Sequence, residues 1–266
     1  MIVFPNVKIN IGLSVSDKRS DGYHNLESIF YPVKLCDILE IVKSETFSFT
    51  ISGIVPEGNS EDNLVVKAYR LLEQDFALTP VQLILHKIVP TGSGLGAGSS
   101  DGAFTLTALN EIFELNLTYE KLCTYAAKLG SDCPFFIQNK PALVYGRGEI
   151  IKETELDLSN HYIKIVHDGI HISTREAFSE LDNRSDSELS QQNFKSLNQE
   201  NFKFLKNDFE NFALKKYPEL QKIKEDLFDE GAIYVSMSGS GSAFYGIFDK
   251  EPVKTGKTSF EFIGKL

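Results

Sequence analysis

Residues 90–101, P-T-G-S-G-L-G-A-G-S-S-D, constrain this chain more than any other stretch. Glycine stands at alternate positions, Gly92, Gly94, Gly96 and Gly98, and Ser99 and Ser100 follow. Glycine reaches positive φ at little cost and lets backbone N–H groups approach a bulky anion. The preceding V-Q-L-I-L-H-K reads as a strand, and the following D-G-A-F-T-L-T-A-L-N-E-I-F has helical spacing. A helix start behind such a loop adds unpaired N–H donors and the positive end of a dipole. Strand, glycine loop and helix together describe a phosphate cradle.

Two common glycine signatures are excluded. A Walker A loop needs Lys after its last glycine, where this chain has Ser99, and the dinucleotide fingerprint fails at Ala97. A glycine-rich turn without a ligand stays open at this point. Among 266 residues, 42% are hydrophobic, enough for one large or two ordinary domains. No apolar run nears the ~20 residues of a membrane span, and the N-terminus lacks the order of a signal peptide. Three cysteines, Cys36, Cys123 and Cys133, show no metal-like spacing, which points to a reducing, cytoplasmic setting. A net charge of −10 without a basic cluster argues against nucleic acid or membrane as partner. In so acidic a chain, positive charge for a polyphosphate must be concentrated locally, so lysines near glycine loops gain interest.

Periodicity predicts strands over 2–4, 9–15, 28–31, 38–42, 46–51, 82–87, 144–147, 233–237 and 243–248. Helices are predicted over 64–75, 100–113, 119–128, 202–212 and 220–229. The polar stretch 181–199 reads as a loop or a poorly ordered insertion. A second glycine–serine turn, S-M-S-G-S-G-S over 236–242, carries Gly239, Ser240 and Gly241. A plain hairpin turn would explain it equally well on its own.

Three further features carry polar chemistry. Lys8 interrupts an apolar strand pattern, with Asn10 two residues on. The turn R-S-D-G-Y-H presents Tyr23 and His24, either as a surface turn or as a flat platform for a base. In G-S-D-C-P-F-F, Asp132 is either a helix cap or a general base.

Taken together, P-N-V-K-I-N, P-T-G-S-G-L-G-A-G-S-S and S-M-S-G-S-G-S resemble the three motifs of the GHMP kinase superfamily, over nearly the whole chain. K-I-N-I-G-L, R-S-D-G-Y-H-N-L, E-D-N-L-V-V-K-A and G-S-D-C-P-F-F resemble the branch that acts on a cytidine-diphosphate alcohol, and D-G-Y-H is absent from other branches. The resemblance implies an α+β two-domain fold, with an N-terminal part over 1–150, a C-terminal part over 151–266 and the active site in the interdomain cleft. It implies phosphorylation, by ATP with Mg²⁺, of the 2-hydroxyl of a methylerythritol linked to cytidine diphosphate, in non-mevalonate isoprenoid synthesis. The partner would be that small molecule, and the enzyme a monomer or weak homodimer.

Residue by residue, Lys8 and Asp132 would form the catalytic pair. Pro90, Thr91, Gly92, Ser93, Gly94, Leu95, Gly96, Ala97, Gly98, Ser99 and Ser100 would wrap the ATP phosphates, with Asn63 and Lys87 near adenine and ribose. Asn10, Tyr23, His24 and Phe178 would face the substrate, Phe178 completing a sandwich around cytosine. Gly239, Ser240 and Gly241 would close on a phosphate. No residue matches a metal ligand, and Ser100 is at most an indirect contact. Asp101 and Gly102 depart from the usual Asn-Ala or Asp-Ala, so Asp101 either turns away from the phosphates or helps place magnesium. A non-catalytic binding protein on the same scaffold is disfavoured because both Lys8 and Asp132 are kept.

Overall fold

The computed structural model describes residues 1–18, 24–56, 58–181, 189 and 205–266. In chain order it runs β1 (Ile2–Val3), β2 (Asn6–Lys18), β3 (His24–Cys36), β4 (Ile38–Lys43), β5 (Ser48–Gly53), α1 (Leu64–Phe76), β6 (Val81–Lys87), α2 (Ala97–Ile112), α3 (Tyr119–Leu129) and α4 (Cys133–Gln138). It continues with β7 (Ala142–Tyr145), β8 (Ile150–Glu153), β9 (Tyr162–His167), α5 (Thr174–Ser179), α6 (Asp208–Lys216), α7 (Glu219–Asp229), β10 (Tyr234–Met237), β11 (Phe244–Phe248) and β12 (Phe260–Lys265). Packing groups 1–7, 35–91 and 96–140 into one compact unit and 8–34, 92–95 and 141–266 into another. This grouping and a division near residue 150 are different partitions: one follows packing, the other the order of motifs.

In the first unit the sheet order is β1-β4-β6-β5. β5 and β6 run parallel with α1 as their connection, because a parallel pair cannot be joined by a tight turn. β6 alternates, burying Val81, Leu83, Leu85 and Lys87. Asn63 starts α1 by accepting from the Val65 N–H at 2.9 Å, and Val65, Val66, Ala68, Tyr69 and Leu72 supply its buried stripe. α2 begins at Ala97, three residues before the predicted start. The N–H groups of its first residues have no intrahelical partner anyway, so Gly98 and Ser99 cost little there, and the Ser100 N–H donates to the Gly96 carbonyl at 3.0 Å. Gly102 is explained by packing: a Cβ at that position would lie 3.0 Å from Leu64 Cβ of α1.

The second unit holds two sheets, β2-β3-β7-β8 and the antiparallel β10-β11-β9-β12. Leu13, Val15, Val166, Phe209, Met237 and Phe244 contribute to its core. β8, β9, α5 and β12 have no counterpart among the predicted elements. The helix predicted over 202–212 begins at Asp208 among the described residues. Most of the 181–199 insertion lies outside the described residues.

β9 carries a buried charge. The Lys164 ammonium meets Glu230 and Glu261, each at 2.6 Å, and donates to the Val253 carbonyl at 3.1 Å. Glu261 also accepts from the Thr255 N–H at 3.0 Å and the Gly256 N–H at 3.0 Å. Burial works to raise its carboxyl, but Lys164 and these two amides bring it down from 4.5 to about 2. A carboxylate depressed on folding adds stability above its unfolded value and loses it as pH falls through the folded value. Urea midpoints should therefore drop as pH goes from 4.5 toward 2, and Glu261→Gln should flatten that slope while lowering stability at pH 7. An unchanged slope in the variant would remove Glu261 from the account.

Candidate active site

In the second unit, β2 points Lys8 into a network with little water. Lys8 is 3% exposed, donates to Asn10 Oδ1 and to the Gly94 carbonyl at 3.3 Å, and lies 4.4 Å from the centre of the Phe30 ring. Its own N–H donates to the Leu95 carbonyl at 3.0 Å. Lys8 thus reaches the glycine loop through both backbone and side chain. Asn10, expected to face the substrate, has its polar groups engaged within the protein. Asn10 N–H donates to Ser238 Oγ at 3.3 Å, its Nδ2 to Ser28 Oγ at 2.9 Å, and its carbonyl accepts from the Tyr245 hydroxyl at 2.7 Å. Asn10 is 1% exposed, and its Oδ1 accepts from the Lys8 ammonium and so orients the lysine.

The two glycine–serine turns meet in this unit. Ser238 Oγ donates to the Gly94 carbonyl at 3.0 Å, and the Ala243 N–H to the Ser93 carbonyl at 3.0 Å. Gly94 has φ +83°, and a Cβ there would fall 1.9 Å from the Ser238 carbonyl oxygen. Gly239, at φ +57°, lies close on the other side, a Cβ there lying 3.0 Å from the Gly94 carbonyl oxygen. A hairpin between β10 and β11 is present, as a local turn requires. Its glycines also serve this close approach, which a hairpin alone does not explain. Ser240 Oγ shares a 2.9 Å hydrogen bond with Thr174 Oγ1.

In the first unit, Gly96 precedes α2 in a left-handed conformation, and no side chain caps the helix. Its first-turn amides are thereby left to other acceptors, as an anion site requires. Ser100 is fully buried on that turn, and its Oγ has no partner among the described residues. Asp132 stands at the N-cap of α4, but with helical φ −85° and ψ −16° and no cap hydrogen bond. Its side chain accepts from Ser131 Oγ at 3.4 Å. The cap role that the sequence left open is therefore not the one it performs.

Lys87 finds its partners inside the protein. Expected at adenine and ribose, its ammonium is buried between Asp37 and Asp101, the latter at 2.8 Å. A buried cation seeks anions, and both lie inside the protein. Asp101 correspondingly turns inward, at 2% exposure. Asn63 spends its side-chain oxygen on capping α1.

Of the residues expected to face the substrate, His24 and Phe178 come together in the second unit, their rings stacked at 5.3 Å and 18°. Phe209 packs edge-on against Phe178 at 4.8 Å. The His24 and Phe178 rings stack directly on one another. Tyr23 lies outside the described residues.

Sequence reasoning missed N-D-F-E at the start of α6. Asn207 Nδ2 donates to the carbonyls of Met237 at 2.7 Å and Gly239 at 2.8 Å, while its Oδ1 accepts from the Phe209 N–H. Asp208 accepts from the Val15 N–H at 2.7 Å, and Glu210 from the Met237 N–H at 3.1 Å. Asn-Asp before a helical run signals a cap. That these side chains also hold the glycine turn and β2 was not legible from it.

This fold and these loops define a class. The chain matches the family models "GHMP kinases N terminal domain" over residues 63–146 and "GHMP kinases C terminal" over 186–261, and it belongs to the GHMP kinase family. It is 46% identical to a 4-diphosphocytidyl-2-C-methyl-D-erythritol kinase of Bacteroides fragilis, over 98% of this chain and 96% of that protein. It is also 46% identical to the kinase of the same name from Bacteroides thetaiotaomicron, over 100% of both chains. Among solved structures, a crystal structure of 4-(cytidine 5'-diphospho)-2C-methyl-D-erythritol kinase superposes with a TM-score of 0.75 at 27% identity, covering 93% of this chain and 90% of that one. Among the described residues, no helix is long and apolar enough to cross a membrane.

Proposed function

We propose that this protein transfers the γ-phosphoryl group of ATP to the 2-hydroxyl of 4-diphosphocytidyl-2-C-methyl-D-erythritol, a step of non-mevalonate isoprenoid synthesis. The observation that carries the reading is the buried Lys8, held by Asn10 against the Gly94 carbonyl where the two glycine–serine turns meet. Its relatives' names and the D-G-Y-H segment support the substrate. In the reaction the alcohol oxygen bonds to the γ-phosphorus, the bond to the bridging oxygen breaks, and ADP leaves. Asp132 takes the hydroxyl proton or orients the alcohol, and the Lys8 ammonium offsets charge on the transferring group. Phosphoryl transfer asks for little beyond such positioning and charge stabilisation.

The glycine loop and the uncapped start of α2 suit the ATP phosphates, and the unpartnered Ser100 hydroxyl suits a polar contact beside them. Among the described residues, no three His, Cys, Asp or Glu side chains cluster to hold a metal. Mg²⁺ would arrive with the nucleotide, as is usual for this ion. When bound, it would neutralise charge on the phosphate oxygens.

The test is a coupled assay with the cytidine-diphosphate alcohol, its uridine analogue, free methylerythritol and mevalonate. Turnover should be confined to the first, or be far the best with it. His24→Ala and Phe178→Ala should raise KM for it about ten- to hundredfold, the equivalent of ~1–3 kcal/mol of stacking, and leave KM for ATP unchanged. Equal turnover of free methylerythritol would refute base recognition, and turnover of mevalonate alone would refute the substrate.

A further inference from the structure

We propose that the buried chain Asp37–Lys87–Asp101 is a positioning device for ATP, stapling together the two ends of the glycine loop. The inference rests on the kinase reading above and assigns these residues a part in it without contact to the nucleotide.

The staple is built entirely within the first unit. Asp37, in the turn from β3 to β4, is 0% exposed. One of its oxygens pairs with the Lys87 ammonium. The other accepts from the Ile88 N–H at 2.6 Å and the Val89 N–H at 3.0 Å. Those two amides are the exit of β6, immediately before Pro90 and the loop. Asp37 is itself anchored, its N–H donating to the Pro5 carbonyl at 2.9 Å. On its other side Lys87 holds Asp101 at 2.8 Å, in the first turn of α2, where the loop ends. Strand exit and helix start are thus tied through a single ammonium.

Stability alone does not account for this arrangement. Apolar groups of the same volume often serve a buried site as well as an ion pair, and the best-attested use of buried charge is to fix register. Hydrogen bonds from a Lys and to a carboxylate are directional, so they set distance and orientation where an apolar contact tolerates sliding. What needs fixing here is evident, since a glycine-rich loop holds its shape poorly by itself. Burial also pushes the Asp101 carboxyl upward, against the pull of Lys87. The second oxygen of Asp101 has no partner among the described residues.

The experiment compares wild type with Lys87→Met and Asp101→Asn, using ATP, 2′-deoxy-ATP and ITP as phosphoryl donors. If the staple acts through the loop, KM for ATP rises about ten- to hundredfold, the scale of loss expected when a distant change misplaces reacting groups. The factor should be the same for all three nucleotides, and KM for the alcohol should not move. A penalty that disappears with ITP or 2′-deoxy-ATP would mean that Lys87 touches base or ribose, and would overturn the proposal. So would an unchanged KM for ATP, or an equal rise in both KM values, which marks general loosening of the fold. Should Lys87→Met fail to fold, Asp101→Asn decides by the same criteria, since it keeps the size of the side chain. Absence of turnover in wild type would refute the kinase reading itself. Wild-type turnover with unaffected variants refutes only the staple.

Discussion

Asp132→Asn is expected to lower kcat by about two to four orders of magnitude, the range for loss of a general base. Folding should be nearly undisturbed, because the side chain of Asp132 does not cap α4 and the residue keeps a helical conformation that Asn adopts easily. Lys8→Ala should cost kcat about as much, through lost charge stabilisation. It should also lower the urea midpoint, since Asn10 Oδ1 and the Gly94 carbonyl each lose a donor. The two variants therefore separate chemistry from structure: Asp132→Asn is slow and stable, Lys8→Ala slow and weakened. ATP affinity measured by calorimetry should survive the Asp132 change. Near-wild-type turnover in Asp132→Asn would remove it from the mechanism.

The second large effect distinguishes two glycines that read alike in sequence. Gly94→Val would drive a branched side chain into the Ser238 carbonyl, 1.9 Å from the Cβ position, at a φ of +83°. Backbone strain of this kind costs about 1–3 kcal/mol before the collision is counted. Because Gly94 joins the two glycine–serine turns, this variant should lose affinity for both ATP and the cytidine diphosphate alcohol, with a lower Tm. Gly96→Val, at φ +72°, distorts the start of α2 instead and should weaken ATP alone. Calorimetry with each ligand separately decides the matter. A Gly94→Val protein that loses only ATP would show that the contact between the turns has no functional weight.

Much of this site could be read from the chain because its signals are local. A strand's alternation, a run of alternating glycines and a helical repeat are properties of neighbouring residues, and the sheet and helix that flank the glycine loop stand where those patterns put them. The G-S-D-C-P-F-F motif offered Asp132 as cap or base. The motif could not say whether it caps a helix, because capping depends on one dihedral and one hydrogen bond.

What the sequence by itself determined was the glycine loop between a strand and a helix and the α+β character of the fold. The tertiary structure alone decided what each long polar side chain touches. Lys87 lies beside the glycine loop in sequence, yet its ammonium finds Asp37, 50 residues away. Asn10 sits two residues from Lys8, yet its Nδ2 donates to Ser28, 18 residues away, while Ser238 and Tyr245, 228 and 235 residues away, hold its backbone. Phe178 aligned with no motif, yet it stacks on His24. The physical reason is common to all three. A buried polar or aromatic group must be matched by whatever packs against it. That partner is chosen by the folding of distant segments onto one another, which local pattern does not encode.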